Sequence, residues 1–120
     1  MQDDSLRNNI DRYRDLADQG ASSFQCFLAS AIIADINYPN RMVEVLKWIL
    51  ISKMLGDQLA HDSIVDFLTR GMSAIDVESS FLLVENWIKE KIEIAHNPKT
   101  DLESLNWTSS LREIVGIYYE

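Results

Sequence analysis

Asp57 and His61 stand four residues apart, a spacing that puts a carboxylate and an imidazole on one face of a helix. Such a pair can begin a metal site. A site needs more ligands, and no cysteine or second histidine lies at ligand spacing. His61 therefore reads as a surface residue just after a helix start, and no metal is expected. Cys26 is the only cysteine and sits among Phe24, Phe27 and Leu28. That setting reads as a buried, inert thiol, with no histidine close in sequence to activate it. Carboxylates are plentiful, but none has the isolated apolar setting that would raise its pKa for acid–base work. Phosphate-cradling glycine loops are absent. No catalytic residue and no cofactor are expected, and the chain reads as a non-enzyme.

The acids carry more information as a distribution. The formal net charge is −8 over 120 residues. This argues against nucleic acid or an anionic membrane as partner, since both need a positive footprint. Residues 1–60 hold 8 acids and 6 bases, whereas residues 61–120 hold 11 acids and 5 bases. Asp57, Asp62 and Asp66 gather at the start of one helical segment, and Asp76, Glu78 and Glu85 at the start of the next. Acids near a helix N-terminus complement its dipole, which accounts for Asp57, Asp76 and Glu78. It does not account for Asp66 or Glu85. These six residues are the expected contact surface for a basic protein.

The elements that must carry them are all helical. No alternating apolar and polar runs with hairpin turns occur, so the chain reads as all-α, a single domain over residues 1–120 with about five to seven helices. The first helix covers about residues 4–18, with Leu6, Ile10, Tyr13, Leu16 and Ala17 as its stripe. Ser22 or Ser23 caps a second, to about residue 35, that turns Phe24, Phe27, Leu28, Ala31 and Ile32 inward. The third is the best marked. Asn40 stands as its N-cap, Met42, Val45, Leu46, Ile49, Leu50 and Lys53 fall at helical spacing, and Gly56 closes it. A fourth, to about residue 70, would bury Leu59, Ala60, Ile64, Phe67 and Leu68. The longest opens at a capping-box-like Ser73-Ala-Ile-Asp76 and carries Ile75, Phe81, Leu82, Val84, Trp87, Ile88 and Ile92. After Pro98 a segment anchored by Leu102, Leu105 and Trp107 leads to a weak helical pattern through Leu111, Ile114, Val115 and Tyr118. No apolar run approaches the ~18 residues of a membrane span. The acidic N-terminus lacks a signal pattern, and a lone cysteine suits a reducing compartment, so a cytoplasmic location is expected.

Gly20 and Gly56 lie 36 residues apart with two helices between them, the spacing of a tetratricopeptide-type solenoid. Residues 16–57 resemble the Sel-one-like repeat, a tetratricopeptide relative. Leu16-Ala17-Asp18-Gln19-Gly20 matches its opening, and Val45-Leu46-Lys47-Trp48 matches its second helix, with Gly56 eight residues beyond Trp48. Gly71-Met-Ser to Trp87 is similar to the exit helices that follow such repeats. Leu28-Ala29 stands where the family has Leu-Gly, and Asp35-Ile-Asn-Tyr-Pro-Asn40 replaces its glycine-rich loop. The resemblance implies a short α/α superhelix used for protein–protein contact, with residues 98–120 as a capping segment. Size and charge together then suggest a small inhibitor or immunity-type protein that neutralises a basic toxin, such as a nuclease domain. A general adaptor that docks a peptide in a concave groove is the alternative.

Overall fold

The computed structural model describes residues 2–57 and 62–116, and within them the side chains of all but residues 2–8 and 102. Every regular element among them is helical: α1 (Gln2–Asp18), α2 (Ser22–Ala34), α3 (Arg41–Met54), α4 (Asp62–Arg70), α5 (Ala74–His96), a 3-10 turn (Leu102–Ser104) and α6 (Ser109–Val115). None of these helices is long and apolar enough to cross a membrane. His61, Leu59, Ala60 and Tyr118 lie outside the described residues, as do the side chains of Leu6 and Leu102.

Gly20 and Gly56 end α1 and α3 in the same way. Both are left-handed, with φ +91° and +90°. Gly20 N–H bonds to the Ala17 carbonyl (3.0 Å) and Ala21 N–H to that of Leu16 (3.2 Å). Gly56 N–H bonds to Lys53 (3.0 Å) and Asp57 N–H to Ser52 (3.0 Å). A residue without Cβ takes this conformation freely, and the paired bonds satisfy two orphan carbonyls of each helix. Beyond these turns α2 packs on α1, and α4 packs on α3. Gly116, also left-handed, ends α6 at Val115.

Two expected caps are not made. Asn40 holds the N-cap position, but its backbone is left-handed (φ 52°) and its side chain bonds nothing in the first turn. A side-chain cap needs extended backbone, and the turn through Tyr38 and Pro39 delivers the chain to α3 the other way. Asparagine tolerates that conformation better than most residues. Ser22 and Ser23 lie inside the first turn of α2, because the Gly20 turn makes Ala21 the cap residue. Ser73 does cap α5, accepting from Asp76 N–H at 3.2 Å, and Thr108 caps α6.

α3 is the central helix. Val45, Leu46, Ile49 and Ile51 are buried, and Trp48 is 1% exposed, packed edge-to-face on Trp87 of α5 at 6.2 Å. Lys53, at stripe spacing, is exposed beyond the end of the buried face. Polar bonds at least partly buried also tie α1, α2, α3 and α5 together. Gln25 Nε2 donates to the Ala17 carbonyl (2.9 Å), joining α2 to α1. Ser52 Oγ donates to Ser22 (2.9 Å), joining α3 to α2, and Ser80 Oγ donates to Val43 (2.9 Å), joining α5 to α3. α3 packs against α2, α5 and α4, and α1 packs against α2. The 24 Å thickness matches two helix diameters of about 10–12 Å.

The apolar register differs from the expected one on three helices. On α2, Phe27 is exposed while Cys26 and Ala29 are buried. On α4, Leu68 is buried but Ile64 lies at the surface and Phe67 is 76% exposed. On α5 the buried stripe is Ser80, Trp87, Lys91 and Ala95, flanked by Val84 and Ile88, whereas Ile75, Phe81, Leu82 and Ile92 are exposed. Ser80 and Lys91 can be buried because each finds a partner there, Ser80 the Val43 carbonyl and Lys91 the Asp18 carboxylate (2.9 Å).

The C-terminal segment closes the end of the helix stack over the Gly20 turn. Thr108 N–H bonds to the Gln19 carbonyl (2.9 Å) and Thr108 Oγ1 donates to that of Gly20 (2.8 Å). Leu111 is fully buried beside them. His96 Nε2 lies 3.2 Å from the Val115 carbonyl, and Trp107 stacks on Lys91 with its ring centre 5.6 Å from Nζ.

Candidate protein-binding site

Among the described residues no group of three or more histidines, cysteines and acids is placed to hold a metal. Cys26 is buried, and its thiol lies 3.2 Å from Ser52 Oγ. Burial pushes the thiol up from its ordinary range, with the Ser52 bond acting against that and nearby Asp57 adding to it. A thiol so placed is a poor nucleophile.

The six acids expected to form one surface fall on several. Successive residues are about 100° apart around a helix, so four residues make a near neighbour and two lie almost opposite. Asp62 and Asp66 therefore share one side of α4, both exposed, and Asp62 pairs with Lys53 of α3. Glu78 and Glu85, two turns apart, share the outer side of α5, both exposed. Asp76 is also exposed, but it lies across that helix from Glu78. Asp57 is half-buried in the Gly56 turn.

Apolar residues sit among these acids, which spacing alone did not show. Ile75 and Leu82 are seven residues apart, hence stacked on the same outer side of α5 as Glu78 and Glu85. They are 75% and 58% exposed. The core-facing side of the helix, opposite them, carries Trp87 and Lys91. The result is a short apolar ridge with Glu78 and Glu85 along one edge and exposed Lys89 next in line beyond Leu82.

Two polar clusters tie α1 to α3 and to α5. Glu44 Oε2 accepts from Arg14 (2.9 Å), Tyr38 (3.0 Å) and Trp48 Nε1 (3.3 Å). Asp18 accepts Trp87 Nε1 (2.9 Å) on one oxygen and meets Lys91 on the other. Lys91 Nζ also faces the Trp87 ring at 5.3 Å. Lys47 lies over Trp48 at 4.3 Å, and burial pushes its ammonium below the ordinary lysine value, with Glu44 opposing. Glu44 with Trp48, and Trp87 with Lys91, stand at i,i+4 spacing, and that was a signal of these clusters in the sequence.

Between α2 and α4 runs an apolar groove of about 270 Å3, walled by Cys26, Phe27, Ser30 and Ile33 on one side and Ile64 and Leu68 on the other. Val45 and Ile49 of α3 form its floor. Comparison with family models, with curated proteins and with solved structures finds no match to this chain.

Proposed function

We propose that this chain is a non-enzymatic protein-binding module. In its most specific form it is a small cytoplasmic inhibitor, of the immunity type, that neutralises a basic toxin domain such as a nuclease by direct binding. Its helix pair α2–α3 would be one Sel-one-like repeat, a reading supported by the two identical glycine turns that bracket it. The observation that carries the function is the outer side of α5. A face that is acidic only for solubility has no reason to display Ile75 and Leu82 beside Glu78 and Glu85. Exposed apolar residues rimmed by charge are the composition of a binding surface. In such a complex the carboxylates at Asp57, Asp62, Asp66, Asp76, Glu78 and Glu85 speed encounter with a basic partner. The apolar ridge then sets the off-rate.

Affinity capture from the native cell, read by mass spectrometry, tests the proposal. A basic protein should be recovered, and its binding should weaken with salt. Leu82→Arg should raise the off-rate, and reversal of Asp62 and Asp66 to lysine should slow association at low salt. Recovery of no basic protein, or binding indifferent to salt, overturns the inhibitor reading. Capture that survives Leu82→Arg unchanged removes the α5 ridge from the site.

A further inference from the structure

α2 is the one described helix with no charged residue: Ser22–Ala34 reads SSFQCFLASAIIA. Residues 23, 27, 30 and 34 fall at i, i+4, i+7 and i+11 along it, so Ser23, Phe27, Ser30 and Ala34 share its outer side, and all four are exposed. Three of them are small, which permits another helix to approach closely. The fourth, Phe27, stands 45% exposed but firmly held, its ring 5.6 Å from that of Phe24 and 6.1 Å from that of Tyr13. Beside it lies the α2–α4 groove, of about 270 Å3. A cavity of about 150 Å3 already takes a benzene ring.

We propose that two copies of this chain meet on α2, antiparallel about a twofold axis near Ser30, with each Phe27 entering the groove of the other. Three features select a second copy as the occupant. The knob and the hole are on the same face, which is what a self-complementary twofold interface requires. Each copy carries −8, so contact through the acidic outer sides of α4 or α5 sets acid against acid, while contact through α2 and the groove side of α4 does not. The two ends of the groove are also oppositely charged. Arg41 sits at the Ile33 end, donating to that carbonyl at 3.2 Å, and Asp57 sits at the Cys26 end. An antiparallel crossing brings the Arg41 end of one copy to the Asp57 end of the other. A basic partner would gain nothing from a helix without acids. The inference uses a face other than the α5 ridge and stands apart from the proposed function.

Sedimentation velocity on the whole chain, at concentrations up to about 100 µM, tests it in the range where modest interfaces associate. The expected species has twice the 13.8 kDa chain mass. Its dissociation constant should fall as salt screens the repulsion between the two acidic copies. Ser30→Glu places two like charges at the axis and should weaken the dimer about tenfold or more. At concentrations where both are monomeric, its helical circular dichroism and thermal midpoint should match those of the parent, since Ser30 is exposed. Wild-type chain that stays monomeric throughout overturns the proposal, as does a dimer that salt dissociates or that Ser30→Glu leaves intact.

Discussion

Replacing Gly20 and Gly56 by alanine, one at a time, asks whether the C-terminal segment is truly seated on the first turn. The two glycines share a φ within a degree and the same pair of closing bonds, so the backbone strain of an alanine is the same at both. That strain is about 1–2 kcal/mol for an L-residue held left-handed. Their surroundings differ. A Cβ at Gly56 meets nothing within 4 Å, whereas a Cβ at Gly20 meets Thr108 Oγ1 at 2.6 Å and Leu111 Cβ at 2.7 Å. Leu111 Cβ moves only with the backbone of α6, and Thr108 is held by its bonds to Gln19 and Gly20. Overpacking of that kind adds about 1–3 kcal/mol. Gly56→Ala should therefore lose about 1–2 kcal/mol and Gly20→Ala about 2–5 kcal/mol. Urea unfolding followed by circular dichroism measures both, since a domain of this size has roughly 6–18 kcal/mol to lose. Equal losses at the two sites, or a larger one at Gly56, would refute the docking of Thr108 and Leu111 on the Gly20 turn.

Trp48→Ala should cost about 3–5 kcal/mol, because it removes the largest fully buried side chain and the edge-to-face contact with Trp87; a soluble, fully stable variant would contradict this packing. Asp18→Asn keeps an acceptor for Trp87 Nε1 but strips the buried Lys91 of its counter-charge, and should cost about 1–3 kcal/mol, moderated by the half-exposed position of Asp18. Lys91→Met removes the buried charge with its stem kept and should cost less, both being read by urea unfolding with tryptophan fluorescence. Cys26 should react with iodoacetamide far more slowly in the native protein than in the unfolded one between about pH 7 and 9, because burial disfavours its thiolate. Its linkage to stability has a definite sign. Below the unfolded thiol's pKa of about 8.5 both states keep the proton and stability is complete; as pH rises further the unfolded chain ionises first, and stability falls. Lys47, pushed the other way, acts in the opposite sense in alkali, so the comparison of wild type with Cys26→Ala isolates the thiol. Identical alkaline stability curves for the two would remove Cys26 from the account.

Helix number and helix ends were legible in this sequence because they are local. Gly20, Gly56 and Ser73 each act within five residues, through one backbone conformation or one side-chain bond, and that chemistry is written in the residue types. Asn40 misled for the same local reason reversed: its identity allows a cap, but the Tyr38-Pro39 turn before it decides the backbone. Which face of a helix turns inward is not local. Over the 23 residues of α5, apolar side chains occur all around the helix, so spacing offers more than one stripe. The choice is made by Ser80 and Lys91, whose partners Val43 and Asp18 come from α3 and α1. The same holds for the acids, whose nearness in sequence at two helix starts becomes separate faces once each helix turns about 100° per residue. This gives the exposure of Ile75 and Leu82 its weight. α5 had two large apolar side chains to offer the core and a polar and a charged one to offer solvent, and the fold takes them the other way round. Burying Lys91 needs a carboxylate and two indoles arranged around it. The exposure of Ile75 and Leu82 beside that arrangement is what supports the proposed binding surface. The α5 ridge is where a partner should be sought first.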